Sequence, residues 1–169
     1  MSISPLVVVG ASGGIGSFLV QLARQAGARV VATGRADDAE FLKDLGADET
    51  VDYTSTDITE ETLRRVLGGV DVVIDLANAG PGLEGSAAAA RPGGRLISPM
   101  GGPPAFDREV TATYAGTVAP QGRLDELAAQ AADGRLRVEI GGNYAFADSR
   151  QALIDFSAHH VRGKVTITF

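Results

Sequence analysis

The sequence predicts an α/β protein: a parallel, doubly wound sheet with helices on both faces. Three observations carry that expectation. Short aliphatic runs alternate along the chain with segments of helical periodicity, glycines fall at the ends of those segments, and the first run leads through a dense glycine turn into a helix pattern.

Each element follows from its own residues. Leu6 to Val9 is aliphatic and too short for a helix, so it reads as a strand buried on both faces. Gly10, Gly13, Gly14 and Gly16 crowd the next turn, after which Ile15, Leu19, Leu22 and Ala23 recur at helical spacing up to a stop at Gly27. "RVVAT" is the second strand, "FLKDLGADE" ends a helix at Gly46, and "TVDY" is a short third strand. "TEETLRRVLGG" has an acidic first turn and a basic last turn, which suit a helix dipole. "VDVVIDLANAG" is the next buried strand, and "LEGSAAAARPGG" reads as a short helix stopped by Arg91-Pro92-Gly93-Gly94. "RLISPMGG" is then a strand, "EVTATYAGTV" alternates as a strand should, and "GRLDELAAQAADG" is an amphipathic helix ending at Gly134. "RVEI" and "KVTITF" close the chain as strands around a last helix.

At 169 residues and 44% hydrophobic side chains, the chain can bury a substantial core. Its formal net charge of -6 is scattered, which argues against nucleic acid as a partner. There are no cysteines, so disulfides and thiolate metal sites are excluded, and no metal is expected. "MSISPLVVVG" lacks the pattern of a signal peptide, and no apolar stretch reaches membrane-spanning length. A soluble cytoplasmic protein without a membrane partner is the expectation.

Strand, glycine turn, helix and second strand together form the context in which a dinucleotide is held. Glycines let the backbone approach a pyrophosphate, and the free amides of the following helix stabilise its charge. This places the pyrophosphate over Ser12 to Ile15, with Gly10, Ser12, Gly13, Gly14, Ile15 and Gly16 as binding residues. A turn that merely packs a helix tightly on a strand is the alternative.

"GASGGIG", "ARVVATGR", "FLKDLGADETVDY", "VDVVIDLANAG", "ARPGGRLIS", "LDELAAQAADGRLRVEI" and "HHVRGKVTITF", in that order, resemble the medium-chain dehydrogenase/reductases, specifically the zinc-free quinone oxidoreductase-like branch. The resemblance covers nearly the whole chain. The short-chain dehydrogenases also write GASGGIG, but they need a Tyr followed four residues later by Lys; here Tyr53, Tyr114 and Tyr144 are followed by Asp57, Val118 and Asp148.

The resemblance implies a dinucleotide-binding Rossmann domain over residues 1–135. It also implies a C-terminal strand-helix-strand segment, 136–169, which in the family rejoins a preceding substrate domain that this sequence lacks. "RVEI" and "KVTITF" would then leave open edges unless they find each other, the sheet or a partner chain. It implies a homodimer through the edge strand 109–118, and a separate chain could supply the substrate domain.

Thr33, Gly34 and Arg35 end the second strand. NAD enzymes place an acid there for the ribose hydroxyls, whereas Gly34 stands at that position here and Arg35 follows, so NADP(H) is favoured. The alternative is that Arg35 is a solvated charge paired with Asp37 and Asp38; relatives commonly carry Lys near the position of Asp38. Tyr53, by resemblance, lies against the adenosine ribose or its phosphate, or else is an ordinary edge residue. Leu76, Ala77 and Asn78 form a strand-end loop lining the cofactor site, and Met100 and Gly101 are candidates for the nicotinamide pocket. His159 and His160 read as polar residues of a helix end, and Asp75 as a strand-capping aspartate. No catalytic residue is assigned, because in such reductases the hydride comes from the cofactor. The expected function is hydride transfer from NADPH to a quinone or activated alkene, once a substrate domain completes the site. The alternatives are a non-catalytic NADP(H)-binding module and a non-redox protein reusing the fold.

Overall fold

A computed structural model describes residues 4–116, 120–158 and 160–169. Nine strands and six α-helices occur among these residues. The main sheet contains β1 (Pro5–Val9), β2 (Arg29–Gly34), β3 (Glu49–Asp52), β4 (Val70–Asp75), β5 (Ala90–Ser98), β6 (Ala105–Phe106) and β7 (Val110–Tyr114) in the order β3-β2-β1-β4-β5-β7-β6. All neighbours are parallel except β6 with β7.

Helices α1 (Gly16–Gln25), α2 (Ala39–Asp44), α3 (Ile58–Arg65) and α4 (Leu83–Ala87) supply the crossovers, and α5 (Arg123–Ala132) follows β7. Alternate residues of the strands feed two cores. Val7, Val31, Val51, Val73 and Leu96 pack with Leu83 of α4 on one face; Val8, Val30 and Ala32 pack with Val20 of α1 and Phe41 and Leu42 of α2 on the other. Strands buried on both faces require continuous aliphatic runs, which is why β1 and β2 read so clearly.

Three expectations are corrected here. Ile15 is 56% exposed, because it stands before the first turn of α1 at the mouth of a cavity; the buried face of that helix is Gly16, Ser17, Val20 and Gln21. Arg91 to Gly94 do not precede a strand. They are a bulge within β5, which pairs Val70 with Ala90 and then Val72 with Arg95. β7 is not a bare edge: Ala105 and Phe106 pair with Thr111 and Val110, and the Ala112 amide donates to the Pro104 carbonyl. Thr117 and Val118, part of the expected edge strand, lie outside the described residues.

Of "RVEI" only Ile140 is strand; β8 runs Ile140–Ala145. The backbone before it is held by side chains instead. Gln21 donates to the Arg137 carbonyl (3.0 Å) and accepts from the Arg137 amide (2.7 Å), while Gln25 donates to the Arg135 carbonyl. β8 pairs in parallel with β9 (Lys164–Thr168), and α6 (Ser149–Ala158) crosses between them. The two closing strands therefore find each other.

Candidate functional site

In an open parallel sheet, ligands bind beyond the carboxyl ends of the strands where the order reverses, here between β1 and β4. Gly10 follows β1 at φ +81°, a left-handed conformation that favours glycine. Its amide donates to Thr33 Oγ1 (3.2 Å), tying the turn to the end of β2. Gly16 must be glycine for packing: a Cβ there would lie 2.2 Å from the Gly10 carbonyl oxygen and 2.6 Å from Ala11 Cα. Gly13 differs, since a Cβ would meet only the Gly10 oxygen at 3.4 Å and a longer side chain would enter the cleft. No side chain caps the start of α1.

Two cavities adjoin this turn. One, of about 470 Å³, is lined by Gly10, Gly13, Gly14, Ile15 and Gly16 together with Leu76, Phe156 and Gly163 to Val165. The other, of about 510 Å³, brings Gly10, Ser12, Gly13, Thr33, Tyr53, Leu76, Ala77 and Asn78 together with Ile58, His160 and Val161. Arg35 Nε donates to Tyr53 Oη (3.3 Å), so these two residues meet across the ends of β2 and β3. Met100 and Gly101 follow β5; the Met100 amide donates to Ser98 Oγ, and the Gly101 carbonyl accepts from the Gly80 amide. They line neither of these cavities.

Asp75 is fully buried and accepts from the Ala77 and Asn78 amides, Asn78 Nδ2 and Ser86 Oγ. With its lone pairs filled it fixes the 76–78 loop, the capping role read from the sequence.

The alternative reading, in which Asp38 pairs with the Arg35 side chain, does not hold: Asp38 takes the Arg35 backbone amide and is paired elsewhere. It is 1% exposed and takes the Arg35 amide (3.1 Å), His160 Nε2 (2.7 Å) and Arg162 Nε (2.5 Å). Ser12 Oγ lies 3.3 Å from the same His160 nitrogen. His160 is thus a bridge between the glycine turn and the β2 end, not the plain helix-end residue its sequence suggested. His159 lies outside the described residues. Burial alone would push the Asp38 carboxyl up, but hydrogen bonds from Arg162, the Arg35 amide and Ser12, with the charge of His160, hold it below the ordinary carboxylate value. Arg35 enters none of the ion pairs formed among the described residues.

Lys164 is a further residue missed by sequence reasoning. Its Nζ lies 2.9 Å from where a Cβ on Gly14 would stand, directly over the turn, and 5.8 Å from the Phe18 ring centroid. The Gly163 amide donates to the Ser12 carbonyl at 2.9 Å, which seats this cationic loop on the glycine turn. The alternation of His160, Arg162 and Lys164 was the available signal.

A family model described as zinc-binding dehydrogenase matches residues 14–123. The chain is 27% identical over 168 residues to the NADPH-dependent alkenal/one oxidoreductase, chloroplastic, of Arabidopsis thaliana, covering 96% of this chain and 40% of the relative. Among solved structures, a quinone oxidoreductase of Pseudomonas syringae pv. Tomato DC3000 superposes with a TM-score of 0.78 at 26% identity, over 98% of this chain and 57% of the other. A NAD-dependent alcohol dehydrogenase superposes with a TM-score of 0.84 at 27% identity, over 98% and 51%. The chain spans about half the length of such relatives, or less. Although the family takes its name from zinc, no donor set for a zinc site is assembled among the described residues. The sequence has no cysteine, and no three His, Asp or Glu side chains converge among the described residues. No helix among them is long and apolar enough to cross a membrane.

Proposed function

The chain belongs to the zinc-binding dehydrogenase family, within the medium-chain dehydrogenase/reductases, and from that premise we propose that it is the NADP(H)-binding half of a quinone or activated-alkene reductase. The observation that carries this reading is the Arg35–Tyr53 pair beside the glycine turn. A guanidinium at the end of β2 with no carboxylate partner among the described residues suits a 2′-phosphate, because its planar donors match phosphate oxygens. Gly13, Gly14 and Ile15 would face the pyrophosphate, with Lys164 adding charge from the other side.

When bound, the nicotinamide supplies the hydride. What this chain contributes is placement of the dinucleotide and a fixed 76–78 loop beside it, held by Asp75. A substrate domain would complete the pocket. The C-terminal unit leaves Phe146, Leu153 and Phe156 60%, 66% and 59% exposed, and such apolar surface is what a docked domain would cover.

The test is NADPH oxidation followed by nicotinamide absorbance with a panel of quinones and enones, with and without a supplied substrate domain of the family. Turnover with NADPH that depends on that domain supports the reading. NADPH binding without turnover under either condition would leave a binding module instead.

A further inference from the structure

Gly34 occupies the position where an acid would select NAD(H), but the volume beside it is not empty. A Cβ on Gly34 would meet Asp38 Cβ at 2.9 Å and Asp38 Oδ2 at 3.2 Å. A Cβ there would also stand 2.8 Å from Leu42 Cδ1, so position 34 has no room for a side chain of its own, and the following turn brings the Asp38 carboxylate beside that strand end instead. Left free, it would do what acids at this strand end do: accept from a ribose 2′-hydroxyl and repel a 2′-phosphate.

It is not free. Arg162 Nε donates to Oδ1 and His160 Nε2 to Oδ2, and an ionised carboxylate can only accept, so the facing imidazole nitrogen carries a proton. Arg162 is itself held in place. It donates to the Asp37 carbonyl, and its guanidinium carbon lies 5.6 Å from the Phe41 ring centroid. Asp38, His160 and Arg162 line a surface groove that also contains Arg35, the cation proposed for the 2′-phosphate.

We propose that Arg162, assisted by His160, is a specificity-determining residue: by occupying Asp38 from the C-terminal loop it withdraws an acid that would otherwise favour NAD(H). The inference rests on the NADP(H) reading above and assigns Arg162 a positioning role, since it acts through Asp38. Its consequence is that cofactor preference depends on a contact between positions 38 and 162, not on the β2 end alone.

Calorimetric titration of the whole chain with NADPH and with NADH tests this. The parent should bind NADPH more tightly. In Arg162→Gln the preference ratio should fall about tenfold or more, the equivalent of one charge-assisted contact redirected, with NADH binding held or improved. Asp38→Asn/Arg162→Gln should restore the preference to within about threefold of the parent, because no charge then needs covering. That restoration also shows that the single variant was not simply misfolded. If Arg162→Gln weakens both cofactors equally, or leaves the ratio unchanged, or if the double variant fails to restore it, the inference is overturned while the NADP(H) reading stands. A parent that binds NADH more tightly overturns both.

Discussion

The two sheets of this molecule are stabilised differently. In the seven-stranded sheet, Val7, Val8, Val30, Val31, Val70 and Val73 are fully buried, in two clusters that also take in residues of α1, α2 and α4. In the β8-α6-β9 unit, Ile140, Phe146, Leu153, Ile154 and Phe156 are all at least 46% exposed. What fixes the second unit is a seam of polar contacts to the first: Gln21 on Arg137, Gly163 on Ser12, and the Asp38 cluster. The difference teaches that the main sheet carries its own core, whereas the C-terminal unit is positioned by polar contacts beside the glycine turn and leaves large apolar side chains exposed.

The contrast breaks most sharply at the glycine turn. Gly16→Val places a side chain against backbone that cannot yield and should lower stability by about 3 kcal/mol or more, seen as a reduced midpoint in denaturant unfolding. Gly13→Val should leave the unfolding free energy within about 0.5 kcal/mol of the parent while abolishing NADPH binding. Next in size, Leu83→Ala in the main core should destabilise by about 2–5 kcal/mol, whereas Leu153→Ser in the C-terminal unit should change stability by less than about 0.5 kcal/mol. A Leu153→Ser loss as large as that of Leu83→Ala would show that the C-terminal unit has a core of its own.

The seam gives the intermediate effect. Gln21→Leu leaves an amide and a carbonyl of Arg137 without their partner and should cost about 1–3 kcal/mol, with faster hydrogen exchange confined to residues near 135–145. The smallest effect is with pH. Asp38 has a folded-state value below its ordinary one, so its charge stabilises the fold above the unfolded carboxylate range near 3.8, and that contribution is lost as pH falls through the lower, folded value. Unfolding free energies measured from pH 6 to 2 should therefore drop less steeply at the acid end for Asp38→Asn than for the parent.

Much of the main sheet was legible because its determinants are local. A strand buried on both faces must be aliphatic throughout, and a turn that brings Gly16 within 2.2 Å of a carbonyl, measured from a would-be Cβ, must be glycine. Arg35 and Tyr53 were read separately, Tyr53 only by resemblance; their contact across eighteen positions follows from the topology, which brings the ends of neighbouring parallel strands together. The bulge at Arg91–Gly94 was missed because Pro and Gly signal a turn equally well inside or before a strand. The seam was illegible for another reason: His160 and Arg162 reach Asp38 across 122 and 124 positions, and no periodicity encodes such a contact. "RVEI" misled because its β-branched and aliphatic residues are real, but the Arg137 amide and carbonyl bond to the Gln21 side chain, and pairing with β9 begins only at the Glu139 carbonyl.

The most direct test of the nucleotide site is calorimetric titration of NADPH and NADH into the parent and Arg35→Ala. The Arg35–Tyr53 assignment predicts tighter NADPH binding by the parent, and in Arg35→Ala a loss of about 1–3 kcal/mol for NADPH with NADH barely changed. Equal losses for both cofactors, or no loss for either, would contradict it.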